Sequence, residues 1–144
     1  VPPAAPGGYS AGDPGHNMRH HEREGRVVAT VLVTDDAKFM RMRLRKIIEG
    51  LGLDVLEAGD GEEAVRMYKE HRPSLVLLDI TMPTKDGLQA LKEILAEDPN
   101  AKVVMCSALA QQTAVVAALK LGARDFIVKP PDPGRVVQAI KRLM

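Results

Sequence analysis

Five polar residues, each placed at the end of an apolar run, have side chains that could carry chemistry. The acidic pair Asp35-Asp36 follows VVATVLVT, and Asp79 follows SLVLL. Ser107 ends the run AKVVMCS, and Lys129 ends DFIVK. Three carboxylates brought close together repel one another unless a cation joins them. Because all of these ligand atoms would be oxygens, the cation that they favour is a hard divalent ion such as Mg²⁺ or Mn²⁺.

Taken one at a time, these residues also have ordinary structural explanations. Asp35 or Asp36 could cap a following helix, and Asp79 could stabilise a turn. Ser107 could be a cap or turn hydroxyl, and Lys129 could be a surface charge. Their joint placement favours one shared site, because each of them follows a segment that reads as a strand.

The segments that would position these residues alternate between strand and helix patterns. The predicted strands are 27–33, 54–58, 74–80, 101–108 and 125–129, and the predicted helices are 39–51, 61–71, 87–97, 111–122 and 133–144. Five strand–helix units with short connections predict an α/β fold with a doubly wound, five-stranded parallel sheet. In such sheets ligands bind beyond the carboxyl ends of the strands, which is where the five polar residues fall.

The spacing of these five residues resembles that of the response-regulator receiver family. Two longer runs add to the resemblance: MPTKDG (82–87) is similar to the MPxxDG loop of the family, and GARDFIVKP (122–130) is similar to its G-A-x-x-aromatic-x-x-K-P run. The resemblance covers residues 27–144. It implies the flavodoxin-like (βα)5 fold with the strand order 2-1-3-4-5.

The resemblance also implies a role for each acidic residue. Asp79 would accept a phosphoryl group from a histidine kinase. Asp36 and Asp79 would bind Mg²⁺ or Mn²⁺ together with the backbone carbonyl of Thr81. Asp35 would act through a water molecule bound to the metal. The chain would then be a signalling protein rather than an enzyme with an external substrate, although it would catalyse its own phosphoryl transfer and autodephosphorylation.

The remaining residues of the pattern would bind the phosphoryl group and report its presence. By the same resemblance, the hydroxyl of Ser107 would hydrogen-bond one phosphoryl oxygen, and the ammonium of Lys129 would pair with another. Phe126 would be an aromatic switch that changes rotamer when Ser107 moves toward the phosphoryl group. The chemistry is consistent, because a carboxylate is a weak nucleophile that needs an electrophile whose charge is already neutralised.

Other runs, among them DDAKFMRMRL, DITMP and DPNAKVVMCSA, resemble the single-domain chemotaxis regulators of that family. They imply a chemotaxis histidine kinase as phosphodonor, a flagellar motor switch protein as target and a phosphatase as a further partner, with the chain itself a monomer.

One alternative is a receiver excised from a larger transcriptional regulator. A flavodoxin-like cofactor-binding protein is disfavoured, because TDDAKFMR is acidic and lacks the glycines of a phosphate-cradling loop.

The composition narrows the class of protein further. The 144 residues include 20 Lys and Arg against 19 Asp and Glu, for a net charge of +1, which does not indicate nucleic-acid binding. Cys106 is the single cysteine, and the chain has no apolar run of about 20 residues, so we expect a cytoplasmic protein without a membrane segment.

Residues 1–25 are rich in Pro, Gly and charge and are predicted to be a disordered tail or a segment added by cloning. Residues 26–144 are predicted to form the receiver domain.

Overall fold

The computed structural model of the chain describes residues 20–23 and 26–144. Six strands are described: β1 (His20–Arg23), β2 (Arg26–Thr34), β3 (Asp54–Ala58), β4 (Leu75–Asp79), β5 (Val103–Ser107) and β6 (Asp125–Val128). The helices are α1 (Lys38–Glu49), α2 (Gly61–His71), α3 (Gly87–Glu97), α4 (Gln112–Leu121) and α5 (Pro133–Leu143), with a 3-10 turn at Leu109–Gln111. Among these described helices none has the length and apolar character required to span a bilayer.

Strands β2 to β6 form a parallel sheet in the order β3-β2-β4-β5-β6. Counted among the parallel strands alone, this order is 2-1-3-4-5, so the predicted architecture is confirmed. The five residues of β4 and the five of β5 are all buried. That pattern is typical of parallel strands covered by helices on both faces, and it explains why these segments read as continuous apolar runs.

Two hydrophobic clusters, one on each face of the sheet, hold the helices in place. Successive side chains of a strand point to opposite faces of the sheet, so β2 contributes to both clusters. Leu32 belongs to one cluster, and Val31 and Val33 belong to the other. The first cluster includes residues of α2, α3 and α4, and the second includes residues of α1 and α5. Because burial on both faces defines the strand register, the carboxyl ends of β2, β4, β5 and β6 meet at one edge.

Several element boundaries differ from the predictions by one or two residues. Helix α1 ends at Glu49 rather than at 51, and the chain reverses through Gly52, whose φ is +80°. The predicted helix ran longer because Leu51 still packs against the second cluster after the helix has ended. Strand β6 ends at Val128, so Lys129 lies just beyond the sheet rather than inside it.

The structure contains one strand, β1, that the sequence analysis did not predict. It pairs antiparallel with the start of β2, with His20 opposite Ala29 and Arg23 opposite Arg26. Strand pairing uses backbone groups, so it leaves no apolar pattern in such a polar segment. Part of the segment predicted to be disordered therefore forms a strand. Residues 1–19 and 24–25 lie outside the described residues, and for them disorder stays a prediction.

Gly87 begins α3 where that helix lies against the end of β4. A Cβ added at Gly87 would lie 2.2 Å from the carbonyl oxygen of Asp79 and 2.7 Å from the Cα of Ile80. Backbone atoms cannot move aside as a flexible side chain can, so we expect Gly87→Ala to lower the free energy of unfolding by about 1–3 kcal/mol, measured by urea denaturation. Gly59→Ala is the control, since its nearest neighbour would be 3.6 Å away. Equal unfolding midpoints for the two variants would contradict this prediction.

Candidate functional site

The carboxyl edge of the sheet brings together the three acidic residues that the sequence analysis selected. Carboxylate oxygens of Asp35, Asp36 and Asp79 all lie within 4.8 Å of one another. The Nζ atom of Lys129 lies 2.7 Å from Asp35 Oδ2 and 3.1 Å from Asp79 Oδ1. The lysine thus contacts two of the three carboxylates, and the cluster carries two more negative than positive charges when all four groups are ionised.

Asp35 is buried and is held by contacts to both its backbone and its side chain. Its N–H donates to the carbonyl oxygen of Ala58 on β3 at 3.1 Å, which continues the strand pairing beyond β2. Its Oδ1 accepts a hydrogen bond from the N–H of Ala37 at 2.9 Å, an arrangement that turns the chain toward α1. Its Oδ2 is buried and has no hydrogen-bond partner of good geometry, although Lys129 lies within ion-pair distance.

Asp79 is the last residue of β4, and the loop that follows bends around its carboxylate. The N–H of Thr81 lies 3.4 Å from Asp79 Oδ1, and the N–H of Gly87 donates to the carbonyl of Ile80 at 2.7 Å. Thr81 is therefore placed beside the acidic cluster, while its carbonyl as a metal ligand stays a prediction. The neighbouring Cys106 is not a competing nucleophile, because burial raises the pKa of its thiol to about 12.

The charges of the site perturb two ionisation equilibria. Burial raises the pKa of the Asp79 carboxyl above its ordinary value, and the nearby Lys129 offsets only part of this effect. Burial alone would lower the pKa of Lys129, but its contacts with Asp35 and Asp79 raise that pKa above the ordinary value. Lys129 therefore remains an ammonium ion at neutral pH, and the site has a positive charge beside Asp79.

The residues present fit a divalent cation. All the clustered ligand atoms are carboxylate oxygens, the negative charge exceeds the positive charge, and two of the three carboxylates are buried. A hard cation resolves each of these features, because it binds oxygen and neutralises crowded carboxylates. Asp36 is the exposed member of the cluster, so a cation can reach the site from solvent.

Ser107 and Phe126 line the same cavity, next to the acidic cluster. Ser107 is buried at the end of β5, whereas Phe126 on β6 is 37% exposed. The cavity has a volume of about 350 Å³ and lies between α4 and β6, with Val116, Leu119 and Val128 among its lining residues. A displacement of Ser107 would therefore change the lining of an open apolar groove. The same groove is lined by Phe126, the predicted aromatic switch.

The sequence analysis missed two residues that support the site, Arg41 and Gln111. Arg41 donates from Nη1 to the carbonyl oxygen of Asp35 at 2.6 Å. Gln111 joins the two loops beside Asp79, since its Nε2 donates to Thr81 Oγ1 and its Oε1 accepts from the N–H of Ala108. The contact of Gln111 with Thr81 joins distant parts of the chain and the other two contacts use backbone groups, so no local pattern in the sequence indicates them.

Comparisons with known proteins agree with this geometry. Residues 31–141 match the family model of the response regulator receiver domain. The chain is 54% identical to chemotaxis protein CheY of Thermotoga maritima over 114 residues, which are 78% of this chain and 95% of that protein. It is 53% identical to protein CcdB of Bacillus subtilis over 115 residues, 79% of this chain and 96% of the other.

Among solved structures, a crystal structure of the CheX-CheY-BeF3-Mg complex from Borrelia burgdorferi is similar, with a TM-score of 0.77 and 41% identity. The alignment covers 83% of this chain and 90% of the chain in that structure. Sequence, fold and acidic cluster agree, and the chain belongs to the response regulator receiver domain family.

Proposed function

We propose that this chain is a phosphorylation-activated signalling receiver in which Asp79 accepts a phosphoryl group from a histidine kinase. The observation that carries the proposal is the cluster itself. A buried carboxylate ends the central strand β4, with two further carboxylates within 4.8 Å and an ammonium group 3.1 Å from one of its oxygens. Receiver domains signal through phosphorylation, so family membership supports the same conclusion.

In the proposed reaction, an oxygen of Asp79 attacks the phosphorus atom of a phosphohistidine. The new bond is an acyl phosphate, and the imidazole nitrogen leaves with the electron pair of the broken P–N bond. Lys129 lies close enough to follow the transferred group and pair with one of its oxygens, and the Ser107 hydroxyl would donate to another. Autodephosphorylation would then be the attack of water on the same phosphorus atom, which breaks the P–O bond to Asp79 and releases its carboxylate, inorganic phosphate and a proton.

Asp36, Asp79 and the backbone carbonyl of Thr81 would hold Mg²⁺ or Mn²⁺, with Asp35 acting through a bound water. When bound, the ion neutralises charge on the transferring phosphoryl group. Support comes from the excess negative charge at the site and from the burial of Asp35 and Asp79. Lys129 already neutralises one of the three negative charges of the cluster, so a divalent ion would neutralise the remaining two.

The signal would pass from the phosphoryl group to the groove between α4 and β6. An acyl phosphate adds about −1.5 to −2 charges at one point, which is enough to bias a two-state loop. Ser107 would move toward it, and Phe126 would change rotamer within the cavity that both residues line. The exposed apolar residues of this groove would then be presented differently to a partner.

We assign the chain to chemotaxis on the strength of its relatives. One of them is a protein named for chemotaxis, which this chain covers over 95% of its length. The proposed phosphodonor is a chemotaxis histidine kinase, and the proposed target is a flagellar motor switch protein that contacts α4, β6 and α5. A phosphatase would be a further partner. The chain would act as a cytoplasmic monomer.

The acceptor can be tested with acetyl phosphate and Mg²⁺, with intact mass spectrometry as the measurement. The wild-type chain should gain one phosphoryl group, whereas Asp79→Asn should gain none, because an amide cannot form the acyl phosphate. Asp60→Asn is the matched control, since Asp60 caps α2 and lies outside the acidic cluster. Labelling of Asp79→Asn at the wild-type level would show that another residue is the acceptor.

Thermal melting with and without Mg²⁺ tests the metal site. An ion that binds only the folded chain with a Kd on the order of 1 mM should stabilise it by roughly 1.4 kcal/mol at about 10 mM. The melting temperature should then rise by about 3–6 °C. Asp36→Ala removes a ligand and a repelling charge, so it should melt higher than wild type without Mg²⁺ and respond little to the ion. If the melting temperature of the wild-type chain does not change when Mg²⁺ is added, the acidic cluster is not a metal site.

The proposed target surface can be tested with two equally exposed apolar residues. Val116 lines the groove and is 50% exposed, whereas Met42 on α1 is 55% exposed and lies elsewhere. Val116→Glu should weaken binding of the phosphorylated chain to the motor switch protein of the same organism by at least about tenfold, because a charge would enter an apolar contact. Met42→Glu should bind like wild type in the same calorimetric titration. A wild-type chain that does not bind at all would refute the chemotaxis assignment.

A further inference from the structure

We infer that Arg41 is a positioning residue for the metal site, which holds the backbone of Asp35 so that the acidic pair faces Asp79; this inference rests on the proposed function. Arg41 lies on α1, and its guanidinium reaches back to the end of β2. Neither the family match nor the sequence motifs assign it a role. The inference rests on the two acceptors of its hydrogen bonds, Asp35 and Glu57.

The guanidinium of Arg41 joins three elements at one point. Its Nη1 donates to the carbonyl oxygen of Asp35 at 2.6 Å, and its Nε donates to Glu57 Oε1 at 2.9 Å. Glu57 lies on β3, opposite Val33 of β2 in the parallel register. The side chain of Arg41 is only 18% exposed. One planar group therefore ties helix α1 and strand β3 to the residue at which β2 leaves the sheet.

The connection that carries the acidic pair is short, and no side chain caps the helix that follows it. Only residues 35–37 separate β2 from α1. Ala37 occupies the N-cap position and makes no side-chain hydrogen bond to the helix, so the first turn lacks the usual polar cap. The direction of the Asp35 carboxylate then depends on four contacts: its N–H to Ala58, its Oδ1 to Ala37, its Oδ2 to Lys129, and its carbonyl oxygen to Arg41.

Electrostatics and positioning predict opposite effects of removing Arg41. The guanidinium carries a positive charge close to a site for cations, so its removal should strengthen Mg²⁺ binding if charge were its only contribution. If Arg41 positions Asp35, its removal frees the carbonyl and lets the acidic pair reorient, and Mg²⁺ binding should weaken. Outer residues that orient metal ligands are typically worth about 10–100-fold in metal affinity. The direction of the change in Kd therefore separates the two interpretations.

Arg45 provides a matched control one helical turn further along α1. Its Nε donates to Glu57 Oε2 at 2.7 Å, and its other contacts are to Glu49 and to the carbonyl of Val55. Arg45→Met thus removes the same charge and the same ion-pair partner as Arg41→Met. Arg45→Met also removes the contacts with Glu49 and Val55, but of these two arginines it is Arg41 that donates to the carbonyl of Asp35 and so contacts the acidic pair.

The test is a titration with Mg²⁺ alone, followed by amide NMR signals of wild type, Arg41→Met, Arg41→Lys and Arg45→Met. We expect the Kd for Mg²⁺ to rise by about tenfold or more in Arg41→Met and to change by less than about twofold in Arg45→Met. Arg41→Lys should fall between them, because an ammonium can donate to the Asp35 carbonyl but lacks the planar fork that also meets Glu57. The melting temperatures of Arg41→Met and Arg45→Met should drop by similar amounts, since each loses an ion pair with Glu57.

An unchanged or lower Kd in folded Arg41→Met would overturn the inference. If Arg41→Met does not fold, Arg41→Lys decides the matter, because a wild-type Kd in that variant would equally overturn it. An equal loss of affinity in Arg41→Met and Arg45→Met would reduce Arg41 to a general structural role and would also count against the inference. Failure of the wild-type chain to bind Mg²⁺ is a separate outcome that refutes the proposed metal site itself.

Discussion

The ion pairs of Lys129 with Asp35 and Asp79 are the contacts on which the arrangement of the site depends. Two carboxylates with exposures of 2% and 4% lie side by side at the edge of the sheet, where the loss of hydration is costly. The lysine makes this burial tolerable, since its Nζ lies within 3.1 Å of an oxygen from each. The apolar clusters on both faces of the sheet provide the stability that maintains such a charged edge. The edge in turn determines where the proposed nucleophile, cation and phosphoryl group can be placed.

The same edge joins a hydrogen-bonded part of the molecule to a more open one. On the side of β2 and β3, Asp35 is buried and its backbone is hydrogen-bonded to Ala58 and to the guanidinium of Arg41. On the side of β5 and β6, Ser107 borders an apolar groove in which Phe126 and Val128 are each 37% exposed. A charge added between these two sides would have to break hydrogen bonds to move residues on the first side, whereas residues on the second side border an open groove. This asymmetry gives a physical reason for a conformational signal to travel toward β6 rather than toward β3.

Much of the fold and the acidic cluster could be predicted because the relevant signals are local. Helices α2 and α3 begin after aspartates whose side chains accept from the N–H groups of Glu63 and Gln89, and both were predicted with the observed limits. The strand ends were predictable from the polar residues that interrupt buried runs. Strand β1, Arg41 and Gln111 were missed for a common reason. Their contacts use backbone groups or join distant parts of the chain, and the residues involved have no periodicity that would indicate a partner.

The burial of Cys106 gives the protein a built-in reporter of its own opening. The thiol lies opposite Asp79 in the register of β4 and β5, and with a pKa of about 12 it is almost entirely protonated at neutral pH. An alkylating reagent needs an accessible thiolate, so it can react only when the packing of α1 and α5 over this face of the sheet opens. The rate of modification would then measure how often this packing opens, without any added label. Because this is the only cysteine in the sequence, the readout would come from a single known position.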